Sequence, residues 1–270
     1  MSAVTPRWLF ADQLGPQFLD APDQPVVLVE SRQVFVRRTF HRAKAHLVLS
    51  ALRHRAAELG DQARLIQADS YDEALEQVGD VTVVQPTSRA ADRWARERGL
   101  PVLPGDRGFA TTREDFAGFA DGRRRLLMED FYRWQRHRFE LLMDDGEPTG
   151  GTWNLDHENR EPPPRTATLG IAEPWWPTED EIDDGVRRDL DRWAAEGDVH
   201  FVGDDGPRWA SATRSEALAA LTHFVEHRLA TFGPTEDAML AADPWMSHSA
   251  LSPAINLGLL HPLEVVRAAE

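Results

Sequence analysis

Five groups of residues have the types and spacing for chemistry. His223-Phe224-Val225-Glu226-His227 places two imidazoles four positions apart, so both could face one zinc ion if the segment is helical. Leu218, Leu221, Phe224, Val225 and Leu229 supply that helix with an apolar stripe, and no convincing third ligand follows. No metal site is therefore expected. Asp12-Gln13-Leu14-Gly15 closes a short apolar run, where ligands of open α/β sheets sit, and it reads equally as a plain turn. Arg123, Arg124, Arg125, Arg133, Arg136 and Arg138 interleave with Phe131, Tyr132, Trp134 and Phe139, a pattern that could stack single-stranded bases. Glu129, Asp130 and Glu140 among them favour a solvated amphipathic helix instead.

The remaining two groups are segments. Gly150-Gly151-Thr152-Trp153-Asn154-Leu155-Asp156-His157-Glu158-Asn159-Arg160 is dense enough in Gly, Trp, Asn and acids to expect a specific packed loop. Ser247-His248-Ser249-Ala250-Leu251-Ser252-Pro253 offers hydroxyls at a helix start, which suits either an anion or an ordinary serine cap.

These residues need elements to position them. Arg7–Ala11, Val26–Val29, Arg64–Ala68, Val81–Val84 and Pro101–Leu103 read as five strands, and Val26–Val29 is continuously apolar, as in a strand buried on both faces. Helical patterns at Phe40–Leu59, Tyr71–Val78 and Arg89–Arg98 alternate with them. The alternation predicts a mainly parallel, Rossmann-like sheet with helices on both faces. Arg113–Ala120 and Leu126–Met143 continue as helices, then Asp144–Thr178 turns rich in Gly and Pro, including Pro162–Pro164. Beyond it the pattern is helical: Glu179–Ala195, Ser215–Phe232, and shorter helices from Pro253 and Pro262. The fold class is α/β followed by all-α. The division expected is residues 1–125, a helix and linker over 126–178, and a helical domain from 179 to 270 that the chain leaves incomplete.

The chain has 270 residues, 41% of them hydrophobic, which is ample for a core. No apolar run nears the ~20 residues of a membrane span, and no secretory signal is evident, so a cytoplasmic location is expected. There are no cysteines, which excludes disulfides and thiolate metal sites in this chain. With a net charge of −15, strong binding of duplex DNA by this chain alone is not expected.

Arg7–Leu14, Met128–Tyr132, Gly150–Arg160, Phe232–Met239 and Ser247–Pro253, in that order, resemble the photolyase/cryptochrome family. The similarity is to its deoxyribodipyrimidine photolyase-related branch, which includes the iron–sulfur bacterial (6-4) photolyases. The resemblance implies an α/β antenna domain, a long linker and the beginning of a helical FAD-binding domain. It implies FAD as cofactor, with Thr235, His248, Ser249, Leu251, Ser252 and Asn256 as its contacts. Asp12, Gln13 and Glu30 are the antenna-chromophore candidates, and ultraviolet-damaged DNA is the partner of the full-length parent.

Three departures accompany this resemblance. Thr235 stands where relatives often carry an aromatic residue, and Ala250 where they carry a larger one. Val34 stands where lumazine-binding members place an acid, which weakens the case for a lumazine antenna. An iron–sulfur cluster would need cysteines from outside these residues. The implied activity is light-driven electron transfer to a pyrimidine photoproduct, with the catalytic residues beyond Glu270 and this chain inactive alone. A cryptochrome-like sensor and a stand-alone nucleotide-binding α/β protein are the alternatives.

Overall fold

Val26–Ser31 is buried along its whole length, as a central parallel strand must be when helices cover both faces. The computed structural model describes residues 4–162 and 168–270. Pro163 and Pro164, within the expected linker, lie outside the described residues.

In chain order, the first stretch runs β1 (Arg7–Leu9), β2 (Val26–Ser31), α1 (Arg32–Arg37), β3 (Phe40–His41), α2 (Arg42–Leu59) and β4 (Ala63–Ala68). It continues through α3 (Tyr71–Val78), β5 (Thr82–Val84), α4 (Arg89–Glu97) and β6 (Val102–Leu103). Next come α5 (Arg113–Ala120), α6 (Met128–Phe139) and a small hairpin, β7 (Met143–Asp144) with β8 (Glu147–Pro148). The rest comprises α7 (Glu181–Glu196), β9 (Phe201–Val202), α8 (Arg214–His227), α9 (Leu229–Phe232), α10 (Ser252–Asn256) and α11 (Pro262–Ala269). No helix among the described residues is long and apolar enough to cross a membrane.

The chain forms two compact units. The first joins Met1–Phe109, Trp176–Leu218 and Leu251–His261; the second joins Ala110–Trp175, Ala219–Ala250 and Pro262–Glu270. The first unit holds the expected sheet: five parallel strands in the order β4-β2-β1-β5-β6. One face packs Trp8, Val27, Val29, Ile66 and Val83 against Ala74 of α3 and Ala95 of α4. On the sheet α2 contacts β2 and β4, and α7 packs on α2.

Local chemistry fixes the helix starts. The Ser70 and Ser88 hydroxyls accept from Glu73 N and Ala91 N, and full capping boxes open α5 at Thr112 and α7 at Asp180. Ion pairs bind α7 and its following loop to the sheet side: Arg32 to Glu196, Arg42 to Asp191 and Asp205, Arg53 to Asp189. Beneath them Glu30 of β2, with no side-chain exposure, takes both nitrogens of Arg53 at 2.7 and 2.8 Å and the amide of Gln67 at 2.8 Å.

The helix expected over Ser215–Phe232 is broken in two. Arg228 leaves helical geometry (φ −129°), is 2% exposed, and donates to the carbonyls of Ala172, Trp245, Met246 and His248. Four carbonyls around one buried cation outweigh one more turn of helix.

Candidate functional site: the cleft at the carboxyl edge of the sheet

The crossovers run from β1 to β2 and β4 on one side and to β5 and β6 on the other, so the strand order reverses between β1 and β5. Such a switch point leaves a crevice at the carboxyl ends of the strands. Here the Asp12–Gln13 turn spans it. Gln13, fully buried, accepts from Phe10 N (3.3 Å) and donates to Gln85 O (3.3 Å), while the Thr87 hydroxyl donates to Asp12 Oδ2.

A cavity of 1560 Å³ opens at this edge. Phe10, Tyr71 and Trp94 form an aromatic wall, with ring centroids 5.8 Å apart for Phe10–Tyr71 and 5.5 Å for Tyr71–Trp94. The Trp94 indole N–H is fixed on Asp72 at 2.8 Å. Val34, Trp209 and Asn256 also line the space.

Two polar atoms at the wall are unspent. Asp12 Oδ1 is buried and has no hydrogen-bond partner, and the Tyr71 hydroxyl has none among the described residues. Burial pushes the Asp12 carboxyl above the usual carboxylate range, although the Thr87 hydrogen bond works against it. Burial, with the Asp12 charge second, raises Tyr71 to about 12, so its phenol keeps its proton. The Tyr71 hydroxyl can therefore donate or accept a hydrogen bond at this corner.

Residues 7–198 match the family model described as deoxyribodipyrimidine photo-lyase-related protein. The chain belongs to this family. It is also 33% identical over 294 aligned residues to a (6-4) photolyase of Agrobacterium fabrum (strain C58 / ATCC 33970), an alignment covering 97% of this chain and 55% of that relative. The chain thus spans about half the length of that photolyase.

Of the antenna candidates suggested by the photolyase resemblance, Asp12 lines the cleft and Gln13 anchors its turn from beneath. Glu30 is committed to Arg53 and Gln67 and is not part of the lining. Of the FAD candidates, Leu251, Ser252 and Asn256 belong to the first unit and Thr235, His248 and Ser249 to the second. The Thr235 hydroxyl is 2.6 Å from that of Ser247, and the carbonyl of His248 is held by Arg228. Ser252 is the first helical residue of α10, preceded by Leu251 with no side-chain cap, so the ordinary serine cap does not form. Pro253 on its second position fixes that start.

The other motifs resolve within the second unit. Arg136 is buried and donates to the carbonyls of Leu141, Leu142 and Trp153, Arg133 pairs with Glu129, and Arg138 pairs with Asp115. Phe119, Phe131 and Trp134 pack on one another, in line with the amphipathic-helix reading. Asn154 reaches Glu129 (2.9 Å) and Asn159 reaches Glu236 (3.0 Å), so the Gly-rich segment is bound at both ends. His223 Nε2 lies 2.7 Å from the Glu173 carbonyl, and its ring is tilted against that of His227 with centroids 4.8 Å apart.

Sequence reasoning missed Tyr71 and Trp94, which read as ordinary helix residues. It also missed a cluster of His54, Asp180 and Asp183, drawn from α2 and the start of α7. Arg208 donates to both oxygens of the Asp183 carboxylate (2.7 and 3.2 Å), which makes this cluster an ionic clasp and leaves little for a cation. The available signal for the cleft was positional: Tyr71 opens α3 and Arg89 opens α4, both at the carboxyl edge.

Proposed function

We propose that the chain is the antenna-bearing part of a flavin-dependent, light-driven DNA repair protein of photolyase type, working in the cytoplasm on ultraviolet-damaged DNA. Identity of 33% extending over 97% of the chain to a (6-4) photolyase carries this reading. Along the chain, residues 1–125 act as the antenna domain, 126–178 as helix and linker, and 179–270 as the beginning of the helical flavin domain.

FAD, when bound, supplies the light-driven electron; the protein positions it and excludes water. The donor set fits a diphosphate in kind. Ser249 and Ser252 contribute hydroxyls, Asn256 an amide and Leu251 its backbone, whereas His248 contributes only if its backbone leaves Trp245 and Arg228. Thr235 contributes only when it gives up its bond to Ser247. Contacts to a solvated anion contribute roughly 1.5–3 kcal/mol each, so residues 1–270 alone should hold FAD weakly. In the cleft, the aromatic wall and the Asp12–Tyr71 corner fit a light-absorbing ring, the antenna.

The test is a chimera in which residues 1–270 replace the aligned part of the Agrobacterium photolyase. A yellow protein with near-stoichiometric FAD that repairs (6-4) photoproducts under blue light is expected. Ser249→Ala with Ser252→Ala should lower its FAD occupancy. A folded chimera that binds FAD and responds to blue light but repairs no lesions would favour a sensor, and a colourless one would remove the family function from this chain.

A further inference from the structure

We propose that Arg228 is a positioning residue for an anionic ligand at the Ser247–Ser249 segment. It fixes the backbone of Trp245–His248 and places a buried positive charge at the peptide that precedes Ser249. The identity of the anion, the flavin diphosphate, rests on the reading above. The role of Arg228 is argued from its surroundings within the second unit.

The charge is buried without a counterion. Arg228 is 2% exposed, and no carboxylate pairs with it among the described residues. Asp243 and Glu173 act on it only through space, and burial draws its pKa below the ordinary arginine value. Asp243 is spent on backbone, accepting from Met246 N at 2.9 Å and from Leu169 N at 3.5 Å. Other buried arginines have acids in contact: Arg7 holds Asp20, and Arg208 holds Asp183 and Glu216. A buried cation without an opposite charge is costly, and a bound anion would offset that cost.

The hydrogen bonds give the charge a direction. Arg228 donates to the carbonyls of Trp245 (3.2 Å), Met246 (2.5 Å) and His248 (3.0 Å), and to that of Ala172. In a trans peptide the C=O and N–H point opposite ways, so the N–H groups of Met246, Ser247 and Ser249 are turned away from the guanidinium. Three carbonyl oxygens that would repel an anion are thereby drawn back onto Arg228. Met246 and Ala250 bracket the serines in the left-handed region, with φ of +39° and +55°. Residues other than glycine keep such geometry only where their surroundings enforce it, and Arg228 supplies that enforcement at Met246.

Arg136 is the structural counterpart. It too is buried, lacks a carboxylate partner among the described residues, and donates to the carbonyls of Leu141, Leu142 and Trp153. None of those carbonyls adjoins a flavin candidate.

The experiment compares Arg228→Gln, which removes the charge, with Arg228→Lys, which keeps it, and takes Arg136→Gln as the control. Apo-chimera is titrated with FAD and with riboflavin, which lacks the diphosphate, by flavin fluorescence. The adenine contributes equally in every variant, so a change in the FAD-to-riboflavin ratio reads the diphosphate. Arg228→Gln should cut that ratio about tenfold, and Arg228→Lys should keep most of it. Arg136→Gln should leave the ratio unchanged even if both flavins bind more weakly. Equal loss of both flavins in Arg228→Gln would overturn the proposal. So would a lost ratio in Arg228→Lys, which decides alone if the glutamine variant does not fold. The two readings fail separately. A chimera that takes up neither flavin sinks the flavin reading and leaves the anion to inorganic pyrophosphate on the 270-residue protein. Pyrophosphate should then raise the melting temperature of the wild type and Arg228→Lys above that in sodium chloride of equal ionic strength, but not that of Arg228→Gln. No gain over sodium chloride in the wild type, or an equal gain in Arg228→Gln, would overturn the role of Arg228 as well.

Discussion

His54 and Asp183 face each other across α2 and α7, with Nε2 3.4 Å from Oδ2. Asp183 is fully buried, and Arg208 grips it from the other side. Asp180 lies 3.8 Å from the same imidazole nitrogen. A second buried histidine of α2, His46, rests its Nε2 3.1 Å from the backbone carbonyl of Asp183.

The two histidines should respond to pH in opposite directions. Burial disfavours a charge on His54, but the hydrogen bond and attraction of Asp183 outweigh it and raise its pKa. Its contribution is then complete below about pH 6.5 and is lost as pH rises through the folded value. Burial lowers the pKa of His46, so its contribution is complete above about pH 6.5 and is lost as pH falls through the folded value. Melting temperatures between pH 5 and 8 should show a steeper rise with pH in His54→Gln than in the wild type, and a shallower one in His46→Gln. Parallel curves in all three proteins would remove this assignment.

Breaking the Glu30–Arg53 pair should be costly. Glu30→Ala leaves a half-buried guanidinium with only Asp189, and a loss of about 3 kcal/mol in urea unfolding is expected. Glu30→Gln keeps the shape and should lose less. If Glu30 instead touches an antenna ligand, Glu30→Gln should weaken ligand binding with little change in stability.

Gly258 carries both a conformational and a steric demand. Its φ is +69°, and an added Cβ would lie 2.7 Å from the Asp12 carbonyl oxygen and 2.7 Å from Phe18. Left-handed geometry costs about 1–2 kcal/mol and overpacking about 1–3, so Gly258→Ala should destabilise by roughly 3 kcal/mol. Because the clash falls on Asp12, ligand affinity of the cleft should fall with it, which calorimetry on the folded variant would detect.

The arginines of α6 and the turn before it should divide by burial. Arg136→Ala orphans three carbonyls and should cost about 2–3 kcal/mol of stability. Arg124→Ala and Arg125→Ala, on exposed positions, should change stability by less than about 0.5 kcal/mol. None should alter duplex binding, which is expected to be weak at physiological salt in the wild type; sub-micromolar binding lost in Arg124→Ala would revive a nucleic-acid role for this segment.

The sheet was legible because Val26–Val29 is apolar without alternation, which leaves few alternatives to a doubly covered strand, and because helical patterns alternate with the other short runs. The pairing of β3 with β9 was not, since two-residue strands have no period to read. The site was legible in part. Asp12 and Gln13 follow from topology, because any residue ending β1 lies at the carboxyl edge. Tyr71 and Trp94 were hidden, since each sits in a helical pattern that reads as ordinary packing and meets Phe10 only through the fold. The return of residues 176–218 and 251–261 to the sheet unit also has no local pattern, because it depends on partners far along the chain.

The turn after β1 is completed by a distant segment. Leu14 N donates to Leu257 O at 3.0 Å, and the Gln17 side chain to Gly258 O at 2.7 Å, a separation of 241 residues. On a ribosome adding roughly 5–20 residues per second, β1 waits longer than about ten seconds for these partners. Through that interval the Asp12–Gln13 turn has only its bonds to Phe10, Gln85 and Thr87, and the part of the cleft lining from residues 253–257 is missing. The nascent chain should therefore acquire its sheet early and its binding site late, and ligand present during synthesis could select the finished arrangement only once residue 258 has emerged.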